Sequence, residues 1–385
     1  MPPPPRPPKR KAPGLATATE EQVLARSRGA LLGLAVGDAF GTTNEGKRMQ
    51  APPFPLICEG VHTEMRGRGP FELRPGQVTD DTQLATVLAE GLREWRQYDW
   101  VYTAKQYGKW LEVAFDCDAQ VRSALEKIKE GRHPEIAGRQ VWLESSQRAA
   151  SNASLTRGVP LAVYFARDRK ARIDATLQDA QTTHYSPHCQ LAGVVLNAII
   201  SAAITTPKEH LEQPDAMKAI ESELSIAAAD LGRALSDFVI QIKVASDEIR
   251  ADIAAAQNDD PLLYGPEVHM FSQDKWVRVA LRLALWELWH APNYEAALID
   301  VANRGADADT NCAVTGALFG AVFGEGSIPE RWATPVLEVN GPGPLFRRYH
   351  PRELMLLAQN LPKPPEPPKA AAAPPKPKPA PPSDH

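Results

Sequence analysis

The sequence contains few cysteines, and none of them forms a paired motif. Four cysteines are spread through 385 residues without a CxxC pair, which argues against the common thiolate zinc and dithiol redox motifs. A chain of this length can bury a large core and does not need disulfide bonds to fold. We therefore expect reduced thiols in a cytoplasmic protein.

Long hydrophobic runs are also missing. The most apolar segment is 191–204, which includes Asn197 and Ser201 and is shorter than the about 20 apolar residues that a membrane-spanning helix needs. The first residues are prolines and basic side chains, without the apolar region of a secretory signal. We expect a buried helix at 191–204, no membrane partner and no export.

The body of the chain lacks an excess of positive charge. The formal net charge is −4, and the two proline-rich termini, residues 1–13 and 362–385, together carry six net positive charges. The remaining residues therefore hold a net charge near −10. A body of that charge repels phosphate backbones, so nucleic acid is not an expected partner.

Proline is concentrated at the two ends. Half of the 36 prolines lie in the two terminal segments. Segments rich in Pro, Lys and Ala favour extended, solvated chain, so we predict disordered tails at residues 1–20 and 362–385. They act as spacers or, alternatively, as ligands of a proline-binding module. A single folded domain is predicted between them, at residues 21–361.

Helical periodicity dominates this predicted domain, and we find no convincing series of alternating strands. Beyond Thr82, apolar residues recur at helical spacings, at Leu84, Val87, Leu88, Leu92 and Trp95. This spacing places them on one face of a helix. The pattern predicts an all-α fold.

Two segments carry a glycine at every fourth position. The first has Gly29, Gly33, Gly37 and Gly41, and the second has Gly316, Gly320 and Gly324. Each glycine costs a helix about 1 kcal/mol relative to alanine, so such a series is expected where another backbone approaches closely. We predict two central helices in tight contact.

Three acidic segments adjoin these glycine-rich helices. They run from Asp38 to Glu45, from Thr79 to Thr82 (TDDT), and from Asp307 to Thr310 (DADT). Clustered carboxylates repel one another and are costly to bury unless cations neutralise them. Hard oxygen donors suit Mg²⁺ or Mn²⁺, and two clusters could hold two ions. For each cluster alone, helix capping is the alternative interpretation.

Five segments of the chain, taken in order, carry a resemblance to a known family. They are residues 29–45 (GALLGLAVGDAFGTTNE), 78–85 (VTDDTQLA), 151–163 (SNASLTRGVPLAV), 183–193 (THYSPHCQLAG) and 304–324 (RGADADTNCAVTGALFGAVFG). Together they resemble the ADP-ribosylglycohydrolase family. The resemblance implies an all-helical catalytic domain, two divalent cations as cofactors, and hydrolytic release of ADP-ribose from a modified acceptor.

The resemblance also implies roles for individual residues. Glu45 corresponds to an acidic residue beside the metals, either a ligand or a gate over the substrate, and the base is Glu45 or one of the aspartates. Asp38 either supports the ligands or caps a helix. The implied catalytic residues are Glu45, Asp80, Asp81, Asp307 and Asp309, and the implied metal ligands are Thr79, Asp80, Asp81, Asp307, Asp309 and Thr310.

Further residues are implied to lie beside the substrate. Segment 152–157 resembles a loop that packs beside the ADP-ribose phosphates. Arg157 contacts phosphate or forms a structural ion pair, and His184 lines the pocket or is a buried structural residue. The implied substrate-binding residues are Asn152, Ser154, Arg157 and His184.

The match to the family departs at three positions. Ala153 and Thr156 replace a glycine and a methionine, and Ala306 replaces a glycine that usually precedes the metal-binding aspartate. Every candidate metal ligand is retained, so these departures concern the shape of the pocket.

Two functions follow from the resemblance. The first is a metal-dependent hydrolase that acts on an ADP-ribosylated protein and yields ADP-ribose and the unmodified acceptor. The alternative is a non-catalytic or dual-role immunity protein that masks an ADP-ribosylating toxin or its target. The intact acidic clusters favour the hydrolase, because a chain freed from metal chemistry has no physical reason to keep so much like charge together. The acceptor, the choice between Mg²⁺ and Mn²⁺, and the oligomeric state stay open.

Overall fold

The computed structural model describes residues 17–48, 61–206 and 214–362. Most of the two predicted tails, residues 1–16 and 363–385, lies outside these ranges. Within them no β-strand forms, and the β-type contacts are isolated bridges. The all-α prediction is confirmed.

The described residues form sixteen α-helices joined by loops and short 3₁₀ segments. In chain order the α-helices are α1 (Glu20–Gly41), α2 (Asp80–Trp95), α3 (Trp100–Trp110), α4 (Ala119–Lys129), α5 (Pro134–Glu144), α6 (Ala153–Arg157), α7 (Val159–Tyr164), α8 (Arg169–Thr183), α9 (Pro187–Thr205), α10 (Pro214–Ala234), α11 (Val239–Ala255), α12 (Val277–His290), α13 (Tyr294–Arg304), α14 (Ala308–Phe323), α15 (Glu330–Glu338) and α16 (Pro351–Met355). The 3₁₀ segments are Thr42–Asn44, Gly69–Phe71, Ser236–Phe238, Glu325–Ser327, Pro344–Phe346 and Leu356–Asn360.

Helices α1 and α14 form the centre of the fold. A Cβ atom added to Gly33 would overlap the carbonyl oxygen of Gly316, and the reverse is also true. Gly29 and Gly320 face each other in the same way. The two backbones are therefore in direct contact along the glycine faces, as predicted from the four-residue spacing. Both helices are buried on nearly every side over this length.

The pairing is antiparallel, and this positions the acidic segments. Gly29, early in α1, faces Gly320, late in α14, whereas Gly41, the last residue of α1, faces Ala308, the first of α14. The chain that leaves α1 and the chain that enters α14 therefore meet at one end of the pair. Glu45 lies in the first of these segments and Asp307 in the second.

Helix α2 is attached to the same end through the buried carboxylate of Asp38. Asp38 accepts hydrogen bonds from the backbone N and Oγ1 of Thr79, at 3.0 and 2.9 Å, and from the backbone N and Oγ1 of Thr82, at 3.1 and 2.6 Å. An acidic side chain thus caps the N-terminus of α2 and complements its dipole. Asp38 therefore caps α2, and by accepting from Oγ1 of Thr79 it also holds an implied metal ligand.

The apolar segment 191–204 lies within α9, in the interior of the fold. Helix α9 is long and apolar enough to cross a bilayer on length and composition, but 83% of its most apolar window is buried against other helices. It packs against α8, α10, α11 and α14. A helix that is apolar on all sides is typical of the centre of a large helical fold.

The backbone contact between α1 and α14 predicts how glycine substitutions affect stability. We expect Gly33→Ala to lower the free energy of unfolding by about 3 kcal/mol or more, because a packed backbone carbonyl cannot move aside for the new methyl group. Gly232→Ala, in α10, is the control: nothing lies within 4 Å of its added Cβ, so the change should be neutral or stabilise by up to about 1 kcal/mol. Urea unfolding of both variants measures this; equal effects would contradict the packing argument.

Candidate metal centre

The three acidic segments meet at one pocket. Its lining comes from the loop after α1, the 3₁₀ segment Gly69–Phe71, the start of α2, the loop before α4, the start of α6, the loop before α12 and the start of α14. The lining residues are Glu45, Phe71, Asp80, Asp116, Asp118, Asn152, Ala153, Lys275, Asp307, Asp309 and Thr310. Six of these residues carry carboxylates, and Lys275 is the one basic residue among the described residues of the lining.

Helix N-termini supply the favourable electrostatics of this pocket. Asp80 and Asp81 are in the first turn of α2, and Asp309 and Thr310 are in the first turn of α14. Asp118 caps α4 by accepting from the backbone N of Gln120 at 2.8 Å. The positive ends of these helices partly offset the repulsion among the carboxylates.

Hydrogen bonds fix the individual carboxylates. The amide Nδ2 of Asn152 donates to Oδ2 of Asp307 at 2.5 Å, and the backbone N of Ala308 donates to Oε2 of Glu45 at 2.7 Å. The backbone N of Asp118 donates to Oδ2 of Asp80 at 3.1 Å. These bonds leave other carboxylate oxygens available, and one oxygen from each of Glu45, Asp307 and Asp309 lies within 4.8 Å of the other two.

Asp81 provides an independent indication that a cation belongs here. Its Oδ1 accepts from Oγ1 of Thr156 at 2.6 Å, but its buried Oδ2 has no hydrogen-bond partner among the described residues. A buried carboxylate oxygen without a partner is costly. The candidate metal ligands around it offer carboxylate and hydroxyl oxygens. These residues therefore fit a hard divalent cation such as Mg²⁺ or Mn²⁺.

Burial and mutual repulsion shift the acidity of the cluster. Burial, followed by the charges of Asp309 and Asp307, raises the pKa of Glu45 to about 11. Burial and the charge of Asp307 raise the pKa of Asp309 to about 8, and burial and Asp309 raise the pKa of Asp116 to about 7. The protein alone therefore does not stabilise this set of carboxylates in their charged forms.

The sequence-predicted substrate residues divide into two groups. Asn152 lines the pocket, whereas Ser154 is buried and its hydroxyl has no partner among the described residues. Arg157 is fully buried, and its Nε donates to Oδ2 of Asp179 at 2.9 Å. Arg157 therefore forms the structural ion pair. Its direct contact with substrate stays a prediction, and the burial of its side chain argues against that contact.

His184 lies behind the pocket, not in its lining. It is fully buried, with Nε2 2.7 Å from Oγ of Ser151 and Nδ1 2.7 Å from Oγ1 of Thr183. Ser151 in turn donates to Oδ1 of Asp118 at 3.2 Å. Burial and the charge of Arg157 hold the pKa of His184 well below its usual value. His184 therefore connects to the acidic pocket through a serine hydroxyl.

Three polar residues of the pocket were not predicted from the sequence: Asp116, Asp118 and Lys275. Asp116 and Asp118 form a D-x-D pair before an amphipathic helix, the same arrangement that singled out Asp307 and Asp309, so a local signal existed. No local sequence pattern indicates Lys275, because its position beside the acidic residues depends on the tertiary fold.

Ala306 shows the consequence of one departure from the family pattern. It adopts φ of +59° in the turn before α14, a conformation that favours glycine. Its backbone N donates to the carbonyl of Lys47 at 2.8 Å, and its carbonyl accepts from the backbone N of Gly46 at 2.8 Å. The turn is thus retained with alanine, held by the loop that follows Glu45.

Comparisons with known proteins indicate one family. The family model for ADP-ribosylglycohydrolase matches residues 19–366. ADP-ribosylarginine hydrolase Tri1 of Serratia proteamaculans is 28% identical over 338 residues, covering 83% of this chain and 77% of the relative. The protein of the same name from Pseudomonas putida is 29% identical, covering 83% and 76%.

A further relative and a solved structure are also similar to this chain. The ADP-ribosyl-[dinitrogen reductase] glycohydrolase of Rhodospirillum rubrum is 26% identical, covering 80% of this chain and 88% of the relative. The structure titled "ADP-ribosylglycohydrolase-related protein complex" superposes with a TM-score of 0.62 at 26% identity, covering 88% of this chain and 99% of that one.

The crowded carboxylates predict an unusual stability effect. The pKa of Asp309 is about 8 in the folded protein and about 3.9 in the unfolded chain. The stability that its bound proton contributes is therefore fully present below about pH 4 and is lost as the pH rises through 8. In metal-free protein at pH 8.5, Asp309→Asn should therefore raise the melting temperature by about 2 °C, and added Mn²⁺ should stabilise the wild type more than this variant.

Thermal unfolding by circular dichroism in a chelator, with and without excess Mn²⁺, measures this effect. Asp247→Asn is the matched control, because Asp247 is exposed and pairs with Lys243, so its loss should not stabilise the protein. A metal-free Asp309→Asn protein less stable than wild type at pH 8.5 would contradict the electrostatic interpretation.

Proposed function

The chain belongs to the ADP-ribosylglycohydrolase family, and from this premise we propose that it is a metal-dependent hydrolase that removes ADP-ribose from arginine side chains of modified proteins. The observation that carries the proposal is the convergence of six carboxylates on one pocket, with the unpartnered Oδ2 of Asp81 beside them. The arginine acceptor is supported by the names of two relatives.

The charge of the pocket supports a cationic acceptor. Two divalent cations would bring four positive charges, and Lys275 at most one more, against the six carboxylates of the lining. Asp81 and Asp38, buried next to the lining, add further negative charge. The pocket therefore stays negative overall, and a guanidinium group is favoured there over a neutral one.

Asp118 is the carboxylate best placed to meet that acceptor. Its Oδ1 already accepts from the backbone N of Gln120, the backbone N of Val121 and Oγ of Ser151. Its Oδ2 has no hydrogen bond within the described part of the chain. A carboxylate with one oxygen fixed and the other available can bind a guanidinium group in a defined orientation.

The reaction is hydrolysis of the bond between the ribose C1″ and the acceptor nitrogen. Thr79, Asp80, Asp81, Asp307, Asp309 and Thr310 would hold the cations, which when bound supply Lewis-acid stabilisation of the oxygens they contact. Glu45 is held through Oε2 by the backbone of Ala308. Once bound cations offset the charges of Asp307 and Asp309 that raise its pKa, its carboxylate form takes a proton from the attacking water. The water oxygen bonds to C1″, the C1″–N bond breaks, and the leaving nitrogen receives the proton that Glu45 took from the water.

A purely masking role has no support from the site. A protein that only binds a toxin or its target does not need six carboxylates at one pocket, since their repulsion destabilises the fold. A hydrolase needs that charge, because its carboxylates bind metal and activate water.

The activity is tested with a panel of ADP-ribosylated proteins linked through arginine, serine or glutamate. With Mg²⁺ or Mn²⁺ we expect release of ADP-ribose from the arginine conjugate, and the variant with both Asp307→Ala and Asp309→Ala should fall below about 1% of wild-type activity. Asp247→Asn should keep full activity, because the charges that act on Asp247 are those of Lys243 and Arg250, neither of which lines the pocket. Equal release by the double variant would refute the site assignment, and preference for another linkage would refute the arginine acceptor.

A further inference from the structure

Lys275 places a permanent cation at the acidic pocket. Its Nζ lies 3.5 Å from Oδ1 of Asp307, and its side chain is 53% exposed whereas that of Asp307 is 3% exposed. The ammonium therefore approaches a buried carboxylate from the open side of the pocket. Asp307 is also among the carboxylates whose oxygens converge closely enough to hold a metal.

The backbone around Lys275 is fixed, so this approach is a feature of the fold. The backbone N of Trp276 donates to the carbonyl of Gln273 at 2.8 Å, and the backbone N of Val277 donates to the carbonyl of Ala150 at 3.0 Å. Ser151 and Trp276 form an isolated β-bridge. Lys275 is thereby tied to the segment that delivers Asn152, whose amide holds the other oxygen of Asp307 at 2.5 Å.

Asp307 thus has one oxygen held by Asn152 and the other facing Lys275. A divalent cation bound through Oδ1 would require the same oxygen that the ammonium now neutralises. Two cations beside the same carboxylate oxygen repel each other, so each weakens the binding of the other at Oδ1.

We infer that Lys275 is a built-in competitor of the metal: its ammonium neutralises Asp307 in the metal-free protein and moves away when a divalent cation binds that carboxylate. The inference deepens the proposed function and rests on its metal centre. The competition makes metal binding weaker than the carboxylates alone would give, and the ammonium stabilises the metal-free pocket.

The test is direct titration of Mn²⁺ into the full-length chain, followed by electron paramagnetic resonance of the free ion. Lys275→Met keeps an unbranched side chain, one atom shorter, and removes its charge. We expect it to bind Mn²⁺ about tenfold more tightly than wild type and to melt about 2 °C lower in chelator. Lys275→Arg keeps the charge and should stay within about twofold of wild-type affinity, the small change expected when charge is conserved.

A matched control and a double-variant comparison make the outcome specific. Lys170 pairs with Asp174, and the charges acting on it are Asp174, Asp230 and Asp168, none of them in the pocket. Lys170→Met should therefore leave Mn²⁺ affinity unchanged. In an Asp307→Asn background, the gain from Lys275→Met should shrink to less than about twofold, because the competition acts through that carboxylate.

The results separate this inference from the proposed function. Equal or weaker Mn²⁺ binding by Lys275→Met, or an undiminished gain in the Asp307→Asn background, overturns the competition even if the wild type hydrolyses its substrate. Tighter binding by Lys275→Met in a protein that releases no ADP-ribose supports the competition and counts against the proposed hydrolase.

Discussion

The direct contact between the backbones of α1 and α14 is the constraint on which the rest of the structure depends. Glycines on the facing sides let the two helices approach until the carbonyl oxygen of each occupies the space where the other would carry a side chain. Because the pair is antiparallel, the end of α1 and the start of α14 lie side by side. The candidate metal centre is built on that end, and Asp38 attaches the start of α2 to it by accepting from four donor groups of Thr79 and Thr82.

The site concentrates negative charge at a cost to stability. Burial and mutual repulsion raise the pKa of Asp309 and Glu45 far above their ordinary values, and Oδ2 of Asp81 is buried without a partner. Three features offset this cost: helix N-termini, hydrogen bonds such as that from Asn152 to Asp307, and the ammonium of Lys275. Such a compromise between stability and activity is typical of functional sites.

The sequence predicts the fold and the acidic segments well, because both depend on local patterns. Helical periodicity and the four-residue glycine spacing are local, and they correctly predict an all-α fold with α1 and α14 in contact. The structure also brings Asp80, Asp307 and Asp309 into one pocket. Lys275 could not be predicted, since its position depends on a bridge between Trp276 and Ser151 that no local pattern indicates.

Side-chain direction limits the sequence interpretation in the same way. Arg157 ends α6 and His184 follows α8. Both side chains point into the interior, toward Asp179, Thr183 and Ser151. A motif gives the position of a residue along the chain, whereas packing decides whether its side chain faces the pocket. Asp116 and Asp118 carried a local signal, yet their membership of the pocket depends on where α4 packs.

We propose that carboxylates from two distant segments, Asp80 and Asp81 in one and Asp307 and Asp309 in the other, hold a pair of hard cations. Anomalous X-ray diffraction from crystals grown with Mn²⁺ tests this most directly. We predict two peaks about 3.5–4 Å apart, lying between Asp80 and Asp81 on one side and Asp307 and Asp309 on the other. Peaks confined to surface carboxylates, or none at this pocket at saturating Mn²⁺, would contradict it.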